Sequence, residues 1–82
     1  MRLLYFGRLA EVAGSRGVEV TLPHEIETVA ALRHWIGREQ PILGAALASP
    51  TVRVVIADAY ASDDYPLAGV TEIAFIPPVS GG

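Results

Sequence analysis

The two glycines with which the sequence ends, Gly81 and Gly82, are the first candidates for chemistry. A carboxylate on Gly82 would have no side chain beside it to obstruct an enzyme that grips and activates it, and glycine adopts backbone conformations closed to other residues. The segment 77–80 before them reads Pro-Pro-Val-Ser. Residues 77–82, fully extended, would span roughly 20 Å. We therefore expect a tail that can be inserted into another protein.

A glycine pair at a chain end also has a plain interpretation, as a frayed terminus or the remnant of a tag. The two prolines and the strand-like run before them favour a functional segment instead. We predict one domain over residues 1–76 and a flexible C-terminal tail over residues 77–82.

Composition narrows the classes of function. Eighty-two residues suit a single domain, and the absence of cysteine excludes disulfides, thiolate metal sites and cysteine nucleophiles. Any sulfur chemistry must therefore use sulfur brought by another molecule. The net charge of −3 and the scattered arginines argue against nucleic-acid binding, and the longest apolar stretch, residues 42–48, is too short to span a membrane. We expect no metal site, no nucleic-acid or membrane partner, and a cytoplasmic location.

The elements that must position the tail begin with a predicted hairpin. Residues 2–6 are apolar and aromatic after Arg2, which indicates a strand, and residues 9–13 favour one helical turn that stops at Gly14. Residues 18–22 alternate apolar and polar side chains, the pattern of a half-buried strand. The stretch 14–17 is the predicted hairpin connection.

The main helix is predicted to begin after Thr28, a favourable N-cap residue. Apolar residues then recur at helical spacing until Pro41, and residues 42–48 could form a short second helix. Residues 51–57 are β-branched and apolar and predict a central strand, with a short strand near Tyr60 and a last strand over 72–76.

This order of elements predicts an α+β fold with a mixed sheet of four to five strands across one main helix. In such a sheet the first and last strands can lie side by side in the middle. The tail would then leave a rigid central strand, so its direction would be set by the fold.

Three stretches carry a resemblance to a known family: the opening strand with its short helix up to Gly14, the helical segment 28–33, and the ending 72–82. The chain resembles the molybdopterin synthase small-subunit family, within the ubiquitin-like β-grasp sulfur carriers that include the thiamine-pathway carrier. The Pro-Pro-Val-Ser-Gly-Gly ending is the specific part. The sequence departs from the family at Ala57 and Asp58, where an Asn is usual, and at residues 69–71, where Gly-Val-Thr replaces Asp-Gly-Asp.

The resemblance implies that an ATP-using activating enzyme adenylates the carboxylate of Gly82. Sulfur from a sulfur-donor protein would then displace AMP and leave a thiocarboxylate. Two such deliveries would convert a cyclic pyranopterin monophosphate into the dithiolene of molybdopterin, in a pocket of the large subunit, with which a heterotetramer is expected. This chain would bind no cofactor itself, since ATP is used by the activating enzyme, and it would supply the sulfur but not the catalytic pocket.

Each tail residue has an expected part in insertion: the prolines hold the tail extended, Val79 makes apolar contact, and Gly81 forms a slim neck. The residues assigned to insertion are Pro77, Pro78, Val79, Ser80 and Gly81. Because strand side chains alternate between faces, Phe6, Tyr60 and Ile76 could form an apolar partner interface beside the tail. The alternative is an ordinary scatter of exposed apolar residues.

Two other functions stay open. The carrier chemistry could serve thiamine, cysteine or thiolated tRNA instead. The chain could also be a ubiquitin-like modifier or a plain binding module, in which Gly82 forms an amide bond with a target or does not react.

Overall fold

A computed structural model describes residues 1–78, so four predicted tail residues, Val79, Ser80, Gly81 and Gly82, lie outside the described residues. The elements in chain order are β1 (Arg2–Tyr5), α1 (Arg8–Ala13), β2 (Gly17–Glu19), α2 (Val29–Glu39), α3 (Pro41–Leu47), β3 (Arg53–Ile56), β4 (Ala59–Tyr60) and β5 (Glu72–Ile76). Within the same residues, every helix falls short of the length and apolarity that a membrane crossing requires.

The five strands form one mixed sheet in the order β2-β1-β5-β3-β4. β5 lies in the centre, parallel to β1 on one side and antiparallel to β3 on the other. The predicted α+β architecture, with the first and last strands side by side, is confirmed. Its basis is local: β1, β3 and β5 each alternate between buried and more exposed residues, as a sheet covered on one face requires.

The helices cover one face of this sheet and create the core. The side chain of Thr28 accepts a hydrogen bond from the backbone N–H of Ala31 at 3.2 Å, which confirms the predicted cap of α2. The Tyr5 and Phe75 rings stack with centroids 5.6 Å apart on the covered face. The buried apolar residues are Leu3, Tyr5, Leu9, Val29, Leu32, Ile36, Leu43, Leu47, Val52, Val54, Ile56, Leu67, Ile73 and Phe75.

α2 passes directly into α3 through Gln40, which ends one helix and precedes the other. Pro41 occupies the first turn of α3, where the missing N–H costs nothing. The two helices approach closely at a glycine pair: a Cβ built on Gly44 would lie 2.3 Å from the Cα of Gly37. The sequence analysis assigned no role to this pair.

Three strands are shorter than predicted, and β1 is shorter only by its last residue, Phe6. β2 covers Gly17–Glu19 rather than 18–22, because its partner β1 begins at Arg2 and the last bond toward it runs from Val20 N–H to the Met1 carbonyl. β3 begins at Arg53, since residue 51 belongs to the turn after α3. The connection between β1 and β2 contains α1, which confirms the predicted helical turn that stops at Gly14.

The β3–β4 turn holds two non-glycine residues in a left-handed conformation. Ala57 has φ 52° and Asp58 has φ 66°, and the flanking Ile56 and Ala59 are paired, so this is a two-residue hairpin with the φ signs of a type I′ turn. A left-handed alanine costs roughly 1–2 kcal/mol. Ala57, where the sequence departs from the family that it resembles, therefore lies in a strained turn.

Replacing Ala57 with Asn should stabilise the protein by about 0.5–1 kcal/mol, because Asn tolerates the left-handed region better than Ala. Thermal unfolding should show this as a rise of roughly 2–8 °C. The matched control is Ala68→Asn, at an exposed position that is not among those with positive φ. An equal rise in both variants, or none at position 57, would contradict the strained-turn interpretation.

Candidate functional site

The start of the tail is fixed by the central strand. β5 is paired with Tyr5 and its neighbours on one side and with residues of β3 on the other, up to Ile76 opposite Arg53. Phe6 N–H also donates to the Phe75 carbonyl at 3.1 Å, next to the end of the strand. The chain therefore reaches Pro77 from a strand that cannot change direction without breaking its hydrogen bonds to both β1 and β3.

Pro77 is half-buried and packs against Gly7, whereas Pro78 is exposed. Gly7 has φ +56° and ψ −136°, a conformation that side chains disfavour, and a Cβ built on it would lie 2.9 Å from Cγ of Pro77. Gly7 thus gives the first tail residue room to lie close to the loop after β1. No sequence pattern indicated a role for Gly7, because this contact joins positions far apart in the chain.

The face of the sheet away from the helices, hereafter the open face, carries three rows of side chains. One row is charged, with Arg2 between Glu19 and Glu72 at 3.8 and 3.9 Å. The middle row runs across Leu4, Ala74, Val55 and Tyr60, which are paired in turn on neighbouring strands. The last row, at the tail end, contains Ile76 with Arg53 opposite it. Polar groups therefore border an apolar centre.

The three predicted interface residues all lie on this face, though not as one cluster. Phe6, which is 47% exposed, and Ile76 line a common shallow depression with Leu4, Val55 and Ala74. Tyr60 is 66% exposed and lies one strand further out, opposite Val55, outside that depression. The geometry provides an apolar surface beside the tail, with Tyr60 at its border.

Arg53 separates Tyr60 from Ile76 and was not singled out by the sequence. Its guanidinium carbon lies 4.0 Å from the centroid of the Tyr60 ring, a cation–π contact. Among residues 1–78, ion pairs join Arg2 to Glu19 and Glu72, and Arg33 to Asp63, but none includes Arg53. Its outward position follows from strand alternation, so the placement could have been predicted from the sequence, but the Tyr60 contact could not.

The described residues offer little for acid–base or metal chemistry. Within residues 1–78 no group of three or more His, Asp or Glu side chains is placed to hold a metal ion. Burial raises the pKa of the Tyr5 phenol above its ordinary value, so this hydroxyl stays neutral in the core. What the described site can do is present an apolar surface and direct the chain that follows Pro78.

Comparison with known proteins identifies the family. A model described as the ThiS family matches residues 3–82, nearly the whole chain and including both terminal glycines. The chain belongs to the ThiS family. The expected membership in the ubiquitin-like sulfur carriers is thereby confirmed, and the match extends over the four residues that the structure does not describe.

Individual relatives agree with this placement. The molybdopterin synthase sulfur carrier subunit of Escherichia coli is 30% identical over 82 residues, covering 100% of this chain and 99% of the relative. The crystal structure of SAMP1 from Haloferax volcanii has a TM-score of 0.80 and 31% identity, covering 100% of this chain and 98% of that chain. A Pyrococcus furiosus protein named as a putative molybdopterin converting factor subunit 1, at 22% identity and a TM-score of 0.75, supports the β-grasp fold alone.

Proposed function

We propose that this chain is the sulfur-carrier subunit of a molybdopterin synthase. The observation that carries the proposal is the full-length match to the Escherichia coli protein of that name. The central position of β5 supports it, because a carrier must present its chain end in a reproducible direction. The proposal requires a free carboxylate on Gly82, which the intact mass of the purified protein checks.

In the proposed reaction an activating enzyme uses ATP to convert the Gly82 carboxylate into an acyl-adenylate, with release of pyrophosphate. ATP is needed because a carboxylate is a poor electrophile and AMP is a good leaving group. Sulfide supplied by a donor protein then attacks the carbonyl carbon: a carbon–sulfur bond forms, the bond to AMP breaks, and a thiocarboxylate results. The thiocarboxylate sulfur attacks a carbon of the cyclic pyranopterin monophosphate, so that a carbon–sulfur bond forms while a carbon–oxygen bond breaks and its oxygen leaves with the phosphate or as water. Water then cleaves the acyl–sulfur bond, which leaves the sulfur on the pterin and returns the carboxylate. A cytoplasmic location, with ATP at hand, fits this cycle.

The tail would bring this group into a pocket of the large subunit. We propose that residues 77–82 act as the inserted segment and residues 1–76 as the domain that positions it. Pro77 and Pro78 would reduce the ordering cost of insertion, because the φ angles of proline are already restricted. Pro77 lies close to Gly7, so the inserted segment starts from a fixed point on the domain.

Reconstitution tests the proposal. The thiocarboxylated protein, mixed with the large subunit and the cyclic precursor, should produce the dithiolene, and the carboxylate form should not. Intact mass after coexpression with the activating enzyme should show one oxygen replaced by sulfur. Formation of the thiocarboxylate without any dithiolene would reject the molybdopterin assignment and favour another sulfur acceptor, such as thiamine, cysteine or tRNA thiolation.

A second candidate is a protein modifier, and a specific observation favours it. The structure of small archaeal modifier protein 1 from H. volcanii has 28% identity and a TM-score of 0.77, and covers 96% of this chain. A modifier would join Gly82 to an amine of a target through an amide bond. A protein-sized increase in the intact mass after coexpression with the activating enzyme would support this candidate over the carrier.

The open face should contribute to binding of the large subunit. Ile76→Ala should weaken the affinity by up to roughly tenfold, because truncating an apolar residue that anchors an interface can cost more than 1 kcal/mol. Phe6→Ala should act in the same direction, since both side chains line the same depression. Isothermal titration calorimetry measures the dissociation constants.

The control is Ile42→Ala, the same substitution at an 80% exposed residue of α3 on the helix side. It should leave the affinity unchanged. An equal loss of affinity for Ile42→Ala and Ile76→Ala would contradict the assignment of the open face as the binding surface. Unchanged affinity for both Phe6→Ala and Ile76→Ala, in folded protein, would contradict it as well.

A further inference from the structure

The Arg53–Tyr60 pair is the feature of the open face that the proposed function leaves unexplained. Tyr60 is largely exposed, and Arg53 is exposed above it. An apolar surface suited only to packing would not need a cation beside the point where the tail leaves the sheet. The pair lies at that point because Arg53 is directly opposite Ile76.

The other charges of this face are already compensated. Arg2 has carboxylates on both sides, from Glu19 and Glu72, in the row furthest from the tail. Ile76 lies four positions after Glu72 along β5, so the two ends of the face are about 13 Å apart. Within residues 1–78, no carboxylate lies within ion-pair distance of Arg53, as it does for Arg2 and Arg33. The positive charge at the tail end is therefore available to another molecule.

The guanidinium is also restrained before any contact is made. Stacking at 4.0 Å on the Tyr60 ring limits the rotamers of Arg53, so less side-chain entropy is lost when a partner binds. Arg and Tyr are the residues most often found at energetically dominant interface positions. A stacked arginine keeps its N–H edge free, and this edge matches the two oxygens of a carboxylate.

We propose that the open face binds a protein surface that is apolar opposite Phe6 and Ile76 and that places a carboxylate against Arg53. This inference rests on the proposed function and commits to the large subunit as the occupant. The large subunit is the occupant because Arg53 lies opposite Ile76, where the tail leaves the sheet, so the protein that receives the tail must face this surface. An apolar centre with polar borders is the usual pattern of specific protein–protein interfaces. The tail's own carboxylate is a poorer candidate, because a fully extended segment 77–82 would carry it roughly 20 Å away.

Binding to the purified large subunit tests the charge contact. Arg53→Glu should raise the dissociation constant at least tenfold, because it places two carboxylates face to face. Arg53→Gln should weaken binding less and should reduce the dependence of the association rate on ionic strength. Tyr60→Phe, which keeps the ring, should bind nearly as wild type. The matched control is Arg38→Glu, the same charge change in the last turn of α2.

The outcomes separate this inference from the proposed function. A large loss for Arg53→Glu with little change for Arg38→Glu, in variants whose circular dichroism and melting are intact, supports the inference. Equal effects at positions 53 and 38, with wild-type binding present, overturn it and leave the proposed function standing. Loss of affinity only for the activating enzyme also overturns it, because the occupant would be wrong. No binding of the wild type to the large subunit overturns both.

If Arg53→Glu does not fold, Arg53→Gln decides alone. A purely structural role of the stacked pair predicts a lower melting temperature with unchanged affinity. The proposed role predicts the reverse: unchanged melting, weaker binding and a flatter dependence on salt.

Discussion

Removal of Gly82 is expected to lower the rate of dithiolene formation by at least roughly 100-fold without changing the unfolding temperature. Each extended residue contributes about 3.3–3.6 Å of reach, and a displacement of only about 1 Å at a reacting group can cost about 100-fold in rate. The shortened chain still ends in a carboxylate, on Gly81. A lower rate would therefore result from the changed position of the terminal group and not from its absence. Single-turnover formation of the dithiolene is the measurement.

Two further variants sharpen this experiment. Gly82→Ala keeps the length of the chain and adds one methyl group, so its rate should lie between those of the wild type and the deletion. Arg38→Gln, at the end of α2, should match the wild type. A Gly82 deletion that retains the wild-type rate would contradict the prediction, because it would show that the reaction does not depend on the exact position of the chain end.

The second large effect concerns stability. Gly44→Ala should destabilise the protein by about 1–3 kcal/mol, because the new methyl group would lie 2.3 Å from the Cα of Gly37 and the obstacle is backbone. For a domain of this size the loss corresponds to a fall in melting temperature of roughly 5–20 °C. Thermal unfolding followed by circular dichroism gives the value.

Gly37→Ala provides the matched control, since it makes the same substitution on the other side of the same contact. A Cβ built on Gly37 would lie 3.5 Å from the Cα of Gly44, an ordinary van der Waals distance. Alanine is also the better helix former by about 0.5–1 kcal/mol, so this variant should be neutral or more stable. The contrast between two glycines facing each other is the expected result. Equal destabilisation would mean that the helices do not meet as described.

The parts of the fold that could be predicted from sequence are those with local causes. The cap at Thr28 and the bounds of β5 follow from side chains close in the chain, and both were predicted correctly. The inward direction of Ile73 and Phe75 follows from strand alternation. The first and last strands lie side by side in the middle of the sheet, as expected, because few packings suit one main helix and this order of elements.

The parts that were missed depend on contacts between distant positions. The Gly37–Gly44 approach depends on the angle between α2 and α3, which no sequence pattern specifies. Gly7 meets Pro77 because β1 and β5 are neighbours, and that contact became visible only with the register. The early end of β2 depends on where its partner strand begins. For the site, the sequence indicated Phe6 and Ile76 but not the arginine stacked at the border of the same face.

The central position of β5 also has a mechanical consequence. A force applied through the tail would act along the axis of this strand, so the hydrogen bonds to β1 and β3 would be loaded together in shear. They could not open one at a time, as they would if an edge strand were peeled from the sheet. The fold should therefore resist unfolding by a force on the tail, and a partner that held the tail could pull on it without unravelling the domain.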